Sequence, residues 1–118
     1  MTGAPLLAEE LRHRSYEVEV ITIGGLDYVV VNNYVVMFGR HKDRRIRLAL
    51  PCPPDFPVTP PGGMHTNPRL AQPGANSIHN SPLGGDWSYW SRPIPDWQKA
   101  RTTARIMSHL NTLFERAA

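Results

Sequence analysis

Residues 51–70, PCPPDFPVTPPGGMHTNPRL, open the stretch that decides the fold, and residues 84–95, GGDWSYWSRPIP, close it. Residues 51–95 hold eleven of the chain's twelve prolines, five of its nine glycines and two of its three tryptophans. Proline lacks a backbone donor, so neither a helix nor a central strand is expected to cross this stretch. Met64, Leu70, Trp87, Tyr89 and Trp90 nevertheless need apolar surface to pack on. The expectation is a wrapped, packed loop that carries the functional site, held between a sheet before it and a helix after it.

Upstream, the pattern is that of a sheet. Tyr16-Glu17-Val18-Glu19-Val20 alternates, which predicts a strand with one buried and one wet face. Gly24-Gly25 marks a hairpin turn with positive φ. Tyr28–Val31 is a continuous run suited to burial on both faces, and Asn32-Asn33 bends or bulges it before Tyr34–Phe38. Arg45–Leu50 alternates again, with Ile46, Leu48 and Leu50 inward. Ahead of the sheet, Leu6, Leu7 and Leu11 share one side of a short helix over residues 5–13, with Pro5 in its first turn. Behind the loop, Asp96 is expected to cap a helix that starts at Trp97. Ala100, Ala104, Ile106, Met107, Leu110, Leu113 and Phe114 form its apolar stripe, and His109 lies at the border as a surface residue. The fold class is α+β: helix, antiparallel meander of three to four strands, long proline-rich loop, helix.

The 118 residues, 41% of them apolar, suit one domain over 1–118, with residues 1–4 flexible. Net charge is +3. The basic residues cluster only at Arg40–Arg47, away from the tryptophans, which argues against RNA binding. A single cysteine, Cys52, forbids an internal disulfide and suits a reducing, cytoplasmic setting. Residues 1–14 show no signal peptide, and no stretch approaches the ~20 apolar residues of a membrane helix. His65, His79 and Asp86 lack paired metal-ligand spacing such as H-x-x-H, so no metal site is expected.

The order of elements resembles the ubiquitin-conjugating (E2) fold. Leu50-Pro51 and Pro54-Asp55-Phe56-Pro57-Val58-Thr59-Pro60-Pro61 are similar to the proline turn that ends the E2 meander, with Phe56 in its aromatic place. Trp97 with the helix behind it is similar to the tryptophan that follows the E2 catalytic loop. Gly85-Asp86-Trp87-Ser88-Tyr89-Trp90-Ser91-Arg92 resembles the G-x-x-W-x-x-W-S-R-H signature of a bacterial E2-like family, with Pro93 in the histidine's place. The resemblance covers about residues 5–115. It implies partnership with a ubiquitin-like protein and an E1-like activating enzyme, with a deubiquitinase-like protease in the same pathway. No cofactor belongs to this chain, since the E1 would consume the ATP.

An E2 carries its cargo as a thioester on a cysteine after the proline turn, and this chain has none there. Cys52 precedes the turn and is expected to be a small apolar filler. The E2 His-Pro-Asn element is present only as fragments, Asn67-Pro68 and His79-Asn80. Two readings follow. In one, a serine carries the acyl group as an oxyester: Ser91 first, Ser88 in reserve, Ser77 and Ser81 further off. A hydroxyl needs a base within reach, and His79 is the first candidate, His65 the second, with Asn80 as an oxyanion donor. In the other, the chain is a catalytically inactive E2 variant that binds a ubiquitin-like protein, an E1 or a partner E2 without a covalent bond. Trp87, Trp90, Arg92 and Phe56 are the expected partner-binding residues in either case. Each has a plainer role available: a serine caps a turn, and a tryptophan anchors an irregular loop.

Overall fold

The computed structural model describes residues 1–71 and 78–116. Ser77, one of the reserve serines, lies outside the described residues. Helix α1 (Gly3–His13) leads into β1 (Glu17–Ile23), β2 (Leu26–Val35), β3 (Arg45–Cys52), β4 (Met64–Asn67), β5 (Ile78–Asn80) and β6 (Ser88–Trp90). A single 3-10 turn (Trp97–Lys99) then precedes helix α2 (Thr103–Arg116). The strands form one antiparallel sheet in the order β1-β2-β3-β4-β6-β5.

The α+β class and the order helix, sheet, helix are as the sequence predicts. Gly24 and Gly25 sit at φ 59° and 79°, the left-handed region that a two-residue hairpin turn requires. The pairing of β2 with β3 shifts between Val31 and Tyr34, with Asn33 at φ 56°, so the two asparagines do bulge the strand. Tyr28–Val31 is buried on both faces: Val29 and Val31 join the main core, while Tyr28 and Val30 join a second cluster. Helix α1 starts at Gly3, two residues earlier than predicted, and buries Gly3, Ala4, Leu7, Ala8 and Leu11.

Three expectations are corrected. Strands do cross the proline-rich stretch: β4, β5 and β6 all lie in it, and β4 and β6 are interior strands. The prolines are spaced so that each of these strands is proline-free, and Gly63 opens the way to β4. A Cβ on Gly63 would stand 2.2 Å from the Trp90 carbonyl oxygen, so no side chain fits between β4 and β6 there. Strand β2 stops at Val35, and Met37 and Phe38 are exposed. The last helix begins at Thr103, not at Trp97. Asp96 adopts a left-handed conformation (φ 56°) and makes no side-chain cap. Thr102 takes that role, its Oγ1 accepting from the Arg105 N–H at 3.2 Å. The later start leaves Ala104 exposed, while Ile106, Met107, Leu110, Leu113 and Phe114 keep the stripe.

Both helices cover one face of the sheet, packing with Val29, Leu48, Leu50, Met64, Ile78 and Trp90. The other face carries Tyr28, Val30 and Ala49, covered by Leu83 and Trp87 from the β5–β6 connection. Strand β1 is an edge, and its Val20 and Ile23 stay exposed, so its alternation does not bury one full face. No described helix is long and apolar enough to cross a membrane.

Candidate functional site

The proline turn and the tryptophan that the sequence set 40 positions apart meet in space. The Trp97 Nε1–H donates to the Pro57 carbonyl at 2.8 Å, and its ring lies 6.0 Å from that of Phe56. Gln98 Nε2 donates to the Val58 carbonyl at 3.1 Å. Phe56 is fully buried in this clamp.

Cys52 ends β3 with 1% of its surface exposed. Burial, reinforced by the Asp27 and Asp55 carboxylates, pushes its thiol up to about 12. It is a core residue and has almost no thiolate at neutral pH.

The strand registers sort the remaining candidates. His65, Tyr89 and His79 lie opposite one another across β4, β6 and β5. Their rings form a row: His65 stacks on Tyr89 at 4.5 Å, and His79 tilts against the other side at 5.9 Å. The next row holds Thr66, Ser88 and Asn80. Successive strand residues point to opposite faces, so His79 and Asn80 do not converge on one reacting atom. Asn80 Oδ1 accepts from Arg69 Nη2 at 3.1 Å. Ser88 is buried, and its Oγ–H donates to the Ala71 carbonyl at 2.6 Å. Ser91, half-buried, is the centre of a tight turn in which the Arg92 N–H donates to the Trp90 carbonyl at 3.1 Å. No hydrogen bond among the described residues joins Ser91 to His79. The Arg92 carbonyl meets His109 Nε2 at 3.1 Å, so His109 is half-buried against the loop rather than free at the surface.

The two signature tryptophans face opposite sides of the sheet. Trp90 packs in the main core and donates from Nε1 to Thr66 Oγ1 at 3.1 Å. Trp87 packs in the second cluster beneath the Arg47 guanidinium, which lies 5.3 Å from the ring centroid. Both rings anchor the loop from inside the domain.

The contact that sequence reasoning ranked low is the one the structure makes. His65 Nδ1 lies 2.7 Å from Ser81 Oγ. The imidazole is 3% exposed, and burial lowers its pKa to about 4, so it is neutral at physiological pH. Tyr89 stacks on one face, and Tyr28 meets it edge-on at 5.3 Å. The proline-free run Met64-His65-Thr66-Asn67 is too short to show a period, so no periodic signal in the sequence marks His65 as a strand residue. Among the described residues, no group of three or more His, Cys, Asp or Glu side chains gathers around a common point.

A helix-backed antiparallel meander, a proline turn clamped by a tryptophan, and a loop leading to a final helix define the E2 class of α+β domain. Within that class the chain belongs to prokaryotic E2 family E, whose model matches residues 7–117. No curated protein and no solved structure matches the chain. Family membership gives it an E2-like role in a bacterial conjugation pathway, alongside a ubiquitin-like protein and an activating enzyme.

Proposed function

We propose that the chain is the acyl-carrying component of that pathway and holds the ubiquitin-like C-terminus as an oxyester on a serine. The observation that carries this is the state of Cys52, the only cysteine: buried, on the far side of the proline turn, with its thiol held near 12. A thioester there would require β3 to leave the core. Of the serines expected from sequence, Ser88 is closed off by its bond to Ala71, whereas Ser91 and Ser81 are half-buried at opposite ends of the β5–β6 ladder. Beside them, Asn80 Oδ1 accepts from Arg69 and the Arg92 carbonyl meets His109 Nε2. His79 stands on the row between them, an imidazole open to incoming groups.

The test is intact mass after incubation with the activating enzyme, the ubiquitin-like protein and ATP. The expected product is one adduct that survives thiol, is cleaved by mild base and persists in Cys52→Ala. An adduct released by thiol and absent in Cys52→Ala overturns the oxyester. No adduct, with the activating enzyme itself charged, overturns acyl carriage in favour of a catalytically inactive E2 variant that binds its partners without a covalent bond. A specific observation favours this second reading: no base contacts the Ser91 hydroxyl among the described residues.

A further inference from the structure

The geometry points to Ser81 and His65 as a preformed nucleophile–base pair, with Ser81 Oγ the atom that receives the acyl group. The inference rests on the oxyester reading and names its acceptor. Two independent features support it: a hydroxyl 2.7 Å from an imidazole nitrogen, and an imidazole whose orientation is fixed on two sides.

Ser81 follows β5, where the chain leaves the sheet, and is half-buried. The Leu83 N–H already donates to its Oγ at 3.1 Å. In the paired arrangement the hydroxyl donates its proton to His65 Nδ1, and the imidazole carries its own proton on Nε2. Tyr89 stacked at 4.5 Å and Tyr28 edge-on at 5.3 Å hold the ring's orientation, one of the parts a third residue plays in other nucleophile–base arrangements. Arg69 fixes the loop on both sides of Ser81, donating from Nη2 to Asn80 Oδ1 and from Nη1 to the Gly85 carbonyl at 3.0 Å. It is a positioning residue.

The substrate class is a C-terminal thioester of a ubiquitin-like protein on the cysteine of an activating enzyme. Ser81 Oγ attacks the carbonyl carbon as its proton passes to His65 Nδ1. The C–O bond forms and the C–S bond breaks. The departing sulfur takes the proton from Nδ1, restoring the neutral imidazole and leaving a serine oxyester and a free thiol. In onward transfer a neutral amine attacks the ester carbonyl, a C–N bond forms and the C–O bond breaks. The amine's proton returns through His65 to Ser81 Oγ.

Two measurements test the pair without any partner protein. The full chain is treated with a fluorophosphonate probe, and the modified residue is mapped. Labelling is expected at Ser81, retained in Ser91→Ala, absent in Ser81→Ala, and slowed about a hundredfold in His65→Phe, which keeps a ring between Tyr28 and Tyr89. Nitrogen-15 NMR of the wild type reads the tautomer directly, so a poorly folding variant does not end the test. A proton on Nε2 supports the pair. A proton on Nδ1 makes His65 a donor to a turn-capping serine and overturns it, as does labelling confined to another residue or no labelling. The two readings fail separately. An enzyme-dependent adduct that survives Ser81→Ala overturns the pair alone. Labelling at Ser81 with no enzyme-dependent adduct overturns the carrier reading alone.

Discussion

The indole N–H of Trp97 reaches back to the carbonyl of Pro57 at 2.8 Å and ties the entry to the last helix onto the proline turn. The bond joins two segments with no strand pairing between them, and Phe56 fills the space beneath. Trp97→Phe keeps the ring packing but orphans the carbonyl, and is expected to cost about 1 kcal/mol. Trp97→Ala also loses the packing and is expected to cost about 3–5 kcal/mol. Urea denaturation of the two variants checks the ordering; equal losses would mean the ring packing contributes nothing beyond the hydrogen bond.

Cys52 is expected to behave as a core side chain. A disulfide reagent at pH 8 should leave it untouched in the native protein and modify it once the chain is unfolded. Because folding raises its pKa from about 9 to about 12, the thiol's contribution to stability is whole below pH 9 and falls as the pH climbs toward 12. Cys52→Ala should cost about 1 kcal/mol and leave partner-dependent adduct formation unchanged. Rapid native modification would show that β3 opens at this end.

Acid destabilisation should be traceable to His65. Its pKa falls from 6.5 to about 4 on burial, so the unfolded chain binds a proton first. The contribution is full above pH 6.5 and is lost as pH drops toward 4, by roughly 3 kcal/mol at most. Burial also lowers His41 and His109, which act in the same direction, so the informative quantity is the difference between wild type and His65→Phe. Urea midpoints between pH 7.5 and 4 should fall less steeply in the variant. Parallel slopes would place the proton uptake elsewhere.

Arg47 joins three strands and the loop. It bonds Asn32 Oδ1 and Glu19 Oε1 at 3.0 Å each and lies over Trp87. The Glu19 pair is largely solvent-exposed and therefore weak. Arg47→Ala should cost about 1 kcal/mol and shift the tryptophan fluorescence, whereas Glu19→Gln should cost less than about 0.5 kcal/mol. Equal costs would assign the effect to the ion pair instead.

The elements with a strong local pattern were legible in the sequence. The Gly24-Gly25 turn, the two-faced burial of Tyr28–Val31, the bulge at Asn32-Asn33 and the stripe from Ile106 to Phe114 follow from side-chain periodicity and backbone sterics. The proline turn and Trp97 identified the class because residue type and order survive without coordinates. The start of α2 was misplaced because Asp96 is a good capping residue by type, yet Trp97 is drawn aside to Pro57 and the helix begins where Thr102 caps it.

By itself the sequence determined the α+β class, the E2 resemblance and the absence of a cysteine behind the proline turn. These depend on identity, spacing and period, which are local quantities. Only the tertiary structure decided which serine meets which histidine. Strands of three or four residues inside a proline-rich stretch have too few residues to show a period, and their register comes from the β3 edge they add to. That register sets His65 beside Tyr89 and, as the chain turns off β5, brings Ser81 16 positions along to within 2.7 Å of the imidazole. Alternation along the same strands places His79 and Asn80, adjacent in sequence, on opposite faces of the sheet.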